Sequence, residues 1–221
     1  MRPTAHALHL LRDYPNALRV RAGTLTTRVP RAWAGGSGRP VVLIPGVYET
    51  WHFLRVIGDA LSAAGHPVHT VPALGINTLT IPQSARLVTD LLTRRDLRDV
   101  ALVAHSKGGL IGKQVLTGGD PDGRVDRLIA VASPFGGSAM ARWTPWRTMK
   151  AFLPTDEVIR TLTGSLEANA RITSVFPRFD PNIPEGSHLD GARNVEIPVV
   201  GHFRILDDPA AVAAVVSAVE A

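Results

Sequence analysis

No cysteine occurs in the 221 residues, which excludes disulfides, thiolate metal sites and a cysteine nucleophile together. Aromatic residues are scarce at 5%, while aliphatic ones are plentiful. That balance suits a parallel sheet filled with Val, Ile, Leu and Ala better than an aromatic-rich sandwich. No stretch approaches the roughly 18–20 apolar residues that a membrane span needs, so no stable membrane insertion is expected. Met1 to Leu11 carries Arg2, but its apolar run is short and broken by His6 and His9. This makes a poor secretory signal, and the expected location is the cytoplasm, with a secreted, processed form still compatible. His6, His9, His52, His66, His69 and His188 lack metal-ligand spacing and have no carboxylate cluster beside them, so neither metal nor cofactor is expected.

Acidic residues are missing from one region only. Residues 1–39 hold seven arginines against a single acid, Asp13, whereas the rest of the chain has 17 basic and 18 acidic residues. The net charge of +5 therefore belongs to an N-terminal arm, read as a solvated arginine face, and no nucleic-acid partner is expected. The length fits one α/β domain with a sizeable core. We divide the chain into the basic arm, 1–39, and a domain over 40–221. Within the arm, 5–12 reads as a short amphipathic helix and 18–29 as an extended, hairpin-like piece. Trp33 to Pro40, with Gly35, Gly36 and Gly38, reads as a flexible junction.

After the junction a strand–helix rhythm begins. Val41 to Ile44 is a short buried-type strand, and Thr50 can cap a helix from Trp51 to Ala64 that Gly65 ends. Val68 to Leu74 reads as a second strand, and about Gln83 to Arg94 as a second helix. A strand over 100–105 and a helix over 110–116 follow, then a strand at Arg127 to Val131. Further strands are expected around Ile172 to Phe176 and Val195 to Val200. Asp208 and Pro209 open a closing helix to Glu220. The alternation predicts a mostly parallel central sheet with helices on both faces. Residues 138–168 interrupt it: Trp143, Trp146, Met149 and Phe152 place large apolar groups in a segment with no strand signal. It fits a short lid-like insertion over an apolar substrate, or a pair of ordinary core helices.

The densest signal is Val100 to Gly109, where a buried-type strand stops on Ser106 and two glycines follow Lys107. Ala104 and Gly108, two before and two after the serine, permit a sharp strand-to-helix turn that lifts the hydroxyl clear of the sheet. The new helix turns its first amides, including that of Lys107, toward charge developing at Ser106. His105 is expected to point the other way and support the turn.

A serine needs a base, and the base an orienting acid. In a parallel sheet the candidates lie just past the C-terminal strand ends. His202 follows the sixth recognisable strand and Asp180 the fifth, with Glu185 and Asp190 as alternative acids. A second oxyanion amide is expected from Pro45-Gly46-Val47, as the N–H of Val47. Tyr48, Trp51, Trp143 and Trp146 are candidate pocket residues.

Taken together, Val41 to Gly46, Ala104 to Gly109, Ser133 to Gly137, Asp180 to Pro184 and Gly201 to His202 resemble the α/β-hydrolase fold, and within it the small lipases and esterases. The resemblance implies nucleophile Ser106, acid Asp180, base His202 and oxyanion amides of Val47 and Lys107. It also implies a small-molecule or lipid ester as substrate, cleaved through an acyl-enzyme. Thioesterase or acyltransferase chemistry would use the same residues, and a binding protein could keep the fold without turnover. Ala104 stands where the commonest elbow has glycine, and Pro45 where many relatives have histidine, departures that bear on substrate rather than class. Oligomeric state has no sequence signature here.

Overall fold

The computed structural model describes residues 28–221. The helix expected at 5–12 lies outside them, as does most of the extended piece at 18–29. Six strands form one sheet: β1 Val41–Ile44, β2 Val68–Thr70, β3 Val100–His105, β4 Val125–Val131, β5 Ile172–Phe179 and β6 Arg193–Val200. Their order is β2-β1-β3-β4-β5-β6, and every pairing is parallel.

Parallel strands need crossovers, and helices cover both faces of the sheet. On one face α2, Ile81–Arg94, α3, Lys107–Gln114, and α5, Glu157–Gly164, pack over Val42, Ile44, Leu102, Ala104 and Leu128. On the other, α1, Arg55–Ala63, and α6, Pro209–Glu220, cover Val41, Leu43, Ala101, Val103 and Val131. The alternation within each strand sends successive side chains to opposite cores. A short helix, α4, Arg147–Lys150, belongs to the insertion.

Local chemistry explains most boundaries. Thr80 and Gln83 form a capping box that starts α2 earlier than the apolar periodicity suggests. Asp208 Oδ1 accepts from the amides of Ala210 and Ala211, and Pro209 occupies the first turn of α6. The second strand is shorter than expected, because Pro72 opens a 3₁₀ turn over Pro72–Leu74. The fifth is longer, running through Pro177 to Phe179, with a register shift against β6 between those residues. Pro198 sits in β6, at the edge of the sheet, where a missing N–H costs no ladder bond.

Trp33, placed in the flexible junction by its glycine neighbours, is 1% exposed, and its Nε1–H donates to Asp59 Oδ1 at 2.8 Å. Its ring covers Gly58 so closely that a Cβ there would stand 2.4 Å from the indole. No helix among the described residues is long and apolar enough to cross a membrane.

The chain starts the sheet at β1, steps outward to β2, then returns to the opposite side of β1 with β3. Loops leaving neighbouring strands in opposite directions open a crevice at their C-terminal ends. The paired ends Ile44 and Ala104 therefore bring the loop at 45–50 beside Ser106.

Candidate active site

Ser106 occupies the point where β3 becomes α3. Its backbone has φ 51° and ψ −120°, a conformation unfavourable for any residue with a Cβ. Close packing enforces it. A Cβ at Gly108 would lie 2.2 Å from the carbonyl oxygen of Ile44, and one at Gly109 would lie 2.1 Å from Ser133 Oγ. Ser106 N still donates to Val131 O at 2.9 Å, so the β3–β4 ladder runs up to the turn itself. Among the described residues neither the amide of Lys107 nor that of Val47 has a protein acceptor. Both belong to the loops that the crevice brings together.

His202, 4% exposed, follows β6, and its Nδ1 lies 2.7 Å from Asp180 Oδ2. Asp180, 3% exposed, leaves β5, and its other oxygen accepts from the amides of Asn182 at 2.8 Å and Ile183 at 3.1 Å. The carboxylate is thus held on both oxygens, with one reserved for the imidazole. Glu185 instead accepts from Ala139 N, and Asp190 is exposed beside His188, so neither is the partner of His202.

Ser106 and His202 open into one cavity of about 580 Å³. Val47, Tyr48, Phe53 and Phe203 line one side, and Met140, Trp143, Trp146, Met149 and Phe152 the other. The walls are overwhelmingly apolar. Trp143 and Trp146 are 77% and 60% exposed, which places them at the rim. Of the four pocket candidates, Tyr48, Trp143 and Trp146 line this cavity. Trp51 does not. It stacks on His52 at 3.8 Å and meets Trp33 edge-on at 5.3 Å. The segment at 138–168 supplies both expected kinds of surface, since Phe152, Ile159 and Leu162 are core residues while the two tryptophans face outward.

Three polar side chains make contacts beneath the site that sequence position alone does not reveal. Lys107 is 2% exposed, and its Nζ donates to the carbonyls of Asn77, at 2.8 Å, and Leu79. Burial lowers its pKa to about 8. Asn77, wholly buried, donates through Nδ2 to Pro45 O at 2.7 Å and accepts from Ser84 Oγ, tying the 45–50 loop to the start of α2. Glu49, 3% exposed, contacts Gly46 N and His105. An isolated acid in an apolar loop, and a lysine following the serine into a buried helix, were the available signals.

Chemically, a strained serine at a helix N-terminus, an imidazole with a carboxylate on one nitrogen, and two uncommitted amides suit acyl transfer. No group of three or more metal-ligating side chains occurs among the described residues.

No protein-family model matches the sequence, and no curated protein is similar to it in sequence. Solved structures do match. An extracellular α/β-hydrolase from a Paenibacillus species aligns at TM-score 0.58 and 21% identity, over 81% of this chain and 97% of that one. Lipase B of Aspergillus fumigatus aligns at 0.70 and 21%, over 88% of this chain and 56% of its own. A monoacylglycerol lipase of Paleococcus ferrophilus aligns at 0.60 and 16%, over 84% and 96%. With its six parallel strands, two helical layers and strand-to-helix serine turn, the chain has the α/β-hydrolase fold.

Proposed function

We propose that the protein is a serine hydrolase of carboxylic esters, with Ser106 as nucleophile, His202 as base and Asp180 as acid. The observation that carries this reading is the 2.7 Å contact of His202 with Asp180 in the wall of the cavity that also holds Ser106. Asp180 keeps the Nδ1 proton on its own side, leaving Nε2 to take the Ser106 proton as Oγ attacks the ester carbonyl. The tetrahedral oxyanion is met by the amides of Val47 and Lys107. His202 then returns the proton to the leaving alcohol, and water repeats the sequence on the acyl-enzyme.

Among the described residues the cavity is apolar and lined by no free charged side chain, which favours neutral acyl chains over anionic or sugar-like groups. The segment at 138–168 acts as its outer wall and lid. Fluorophosphonate should label wild type, and Ser106→Ala should abolish labelling together with p-nitrophenyl ester turnover. An unlabelled wild type, or a labelled Ser106→Ala, would end the proposal.

The rim sets chain-length preference. Removing both indoles in Trp143→Ala/Trp146→Ala is expected to lower kcat/KM for octanoyl and longer esters about tenfold, as befits lost apolar contacts, and to spare the acetate. An equal loss on acetate and octanoate would show that the tryptophans do not contact the acyl chain.

A further inference from the structure

Behind Ser106 lies a second acid–histidine pair that the reaction scheme leaves without a task. Glu49, in the loop after β1, and His105, the last residue of β3, are both buried, His105 completely. His105 Nδ1 is 2.9 Å from each Glu49 oxygen, and its Nε2 is 3.1 Å from the backbone carbonyl of His202. Glu49 Oε2 also accepts from Gly46 N at 2.8 Å. One unbroken chain of hydrogen bonds thus joins the loop that precedes Val47 to the loop that carries His202.

Resting on the serine-hydrolase reading, we propose that Glu49 and His105 are positioning residues that hold the oxyanion loop and the His202 loop in one rigid frame. The first support is the sorting of adjacent amides. Glu49 engages the N–H of Gly46, while that of Val47, one residue on, has no protein acceptor among the described residues. The carboxylate folds back over a tight turn, with Glu49 N donating to Gly46 O at 3.4 Å and Tyr48 at φ 60°. It lies so close that a Cβ at position 46 would stand 2.4 Å from Glu49 Oε1. The absence of a side chain at Gly46 therefore makes the room that the Glu49 carboxylate occupies.

The second support is charge. A carboxylate beside an oxyanion loop would oppose the charge that forms there. Here the two nitrogens of the His105 ring both face oxygen atoms, so Nε2–H donates to the His202 carbonyl while the ring and the Glu49 carboxyl share one proton across the Nδ1 contact. The pair is neutral as a unit and satisfies every polar atom it buries around the ring. The third is geometry. Catalysis needs the Val47 amide and the His202 imidazole at fixed separation, and a displacement of about 1 Å can cost about 10²-fold. The Pro45–Gly46 peptide unit that Glu49 engages is also held from its other side, where Asn77 Nδ2 donates to Pro45 O.

The test compares Glu49→Ala with Glu49→Gln on p-nitrophenyl butyrate. A trifluoromethyl ketone, which forms a tetrahedral adduct with the serine, serves as the second probe. Glutamine can still accept from Gly46 N and can donate to Nδ1 of a neutral ring that keeps its Nε2–H on the His202 carbonyl. Glu49→Ala is expected to lower kcat about 10²-fold, weaken the ketone by a similar factor and leave KM within about threefold, with Glu49→Gln recovering most of both. A purely structural residue would lower melting temperature without that split. If Glu49→Ala does not fold, Glu49→Met, which keeps the volume and removes the acceptor, takes its place. Wild-type-like kcat in a folded variant, or equal losses in alanine and glutamine, overturns the inference. A wild type that fluorophosphonate cannot label overturns the hydrolase reading instead.

Discussion

Asp180→Asn is expected to lower kcat about 10⁴-fold and leave KM nearly unchanged, because it forces His202 into the wrong tautomer. The argument depends on the oxygen that does not touch the histidine. Asp180 Oδ1 accepts from two backbone amides, Asn182 N and Ile183 N. In the asparagine variant only the amide oxygen can satisfy those donors, so the NH₂ group must turn toward His202 Nδ1. It donates there, Nδ1 becomes the acceptor, and the ring proton moves to Nε2, where a base is needed. Flipping the amide would recover the tautomer only by setting NH₂ against two N–H groups in a buried site. Fold and substrate affinity should survive, since the side chains have nearly the same shape. Steady-state kinetics with circular dichroism tests this directly. Retention of more than about a tenth of wild-type kcat would remove Asp180 from the proposed triad.

Much of the candidate site is legible because each member of the proposed triad sits at a punctuated strand end. Ser106 lies between an apolar run and two glycines, and His202 directly follows a strand and Gly201. Asp180 was harder to choose, because Asp before Pro is an ordinary turn opener and two other acids lie within ten residues. The amides of Asn182 and Ile183 distinguish it, and backbone donors leave no mark on side-chain pattern. Glu49 and His105 show a similar limit. They are 56 positions apart and meet only because β1 and β3 are neighbours in register, which follows from strand order rather than local sequence. Trp33 was misplaced for the opposite reason. Three nearby glycines describe the backbone around it but say nothing of Gly58, the distant glycine that makes room for its ring.

The insertion shows where periodicity stops helping. Short pieces such as Arg147–Lys150 are too brief to display a helical stripe, and their apolar residues divide between core and rim without changing composition. Two tryptophans three residues apart look alike in sequence to any buried pair. Exposure at the mouth of an apolar cavity, visible only in three dimensions, gives them an assignable task.

Lys113→Met is expected to stabilise the protein, most strongly at neutral pH and below. Lys113 lies in α3, fully buried, and its Nζ has no hydrogen-bond partner among the described residues; the Phe135 ring centroid is 5.9 Å away. Desolvation lowers its pKa from 10.5 to about 8. Between those values the unfolded chain holds the proton that the folded chain has released, so stability rises with pH across that window. Below about 8 the folded state carries the full cost of a buried ammonium. Lys107 titrates in the same direction, but its two carbonyl acceptors give its proton somewhere to go. Methionine fills nearly the same volume and buries no donor, which should gain about 1–3 kcal/mol at pH 7. For a chain of this size that corresponds to roughly 2–4 °C in melting temperature per kcal/mol. The gain should shrink as pH climbs toward 10, where wild type has already shed the charge. Subtracting wild type from variant at each pH cancels every other titrating group, Lys107 included. A variant no more stable at pH 7, or a gain that stays constant from pH 7 to 10, would mean that Lys113 carries no buried charge to lose.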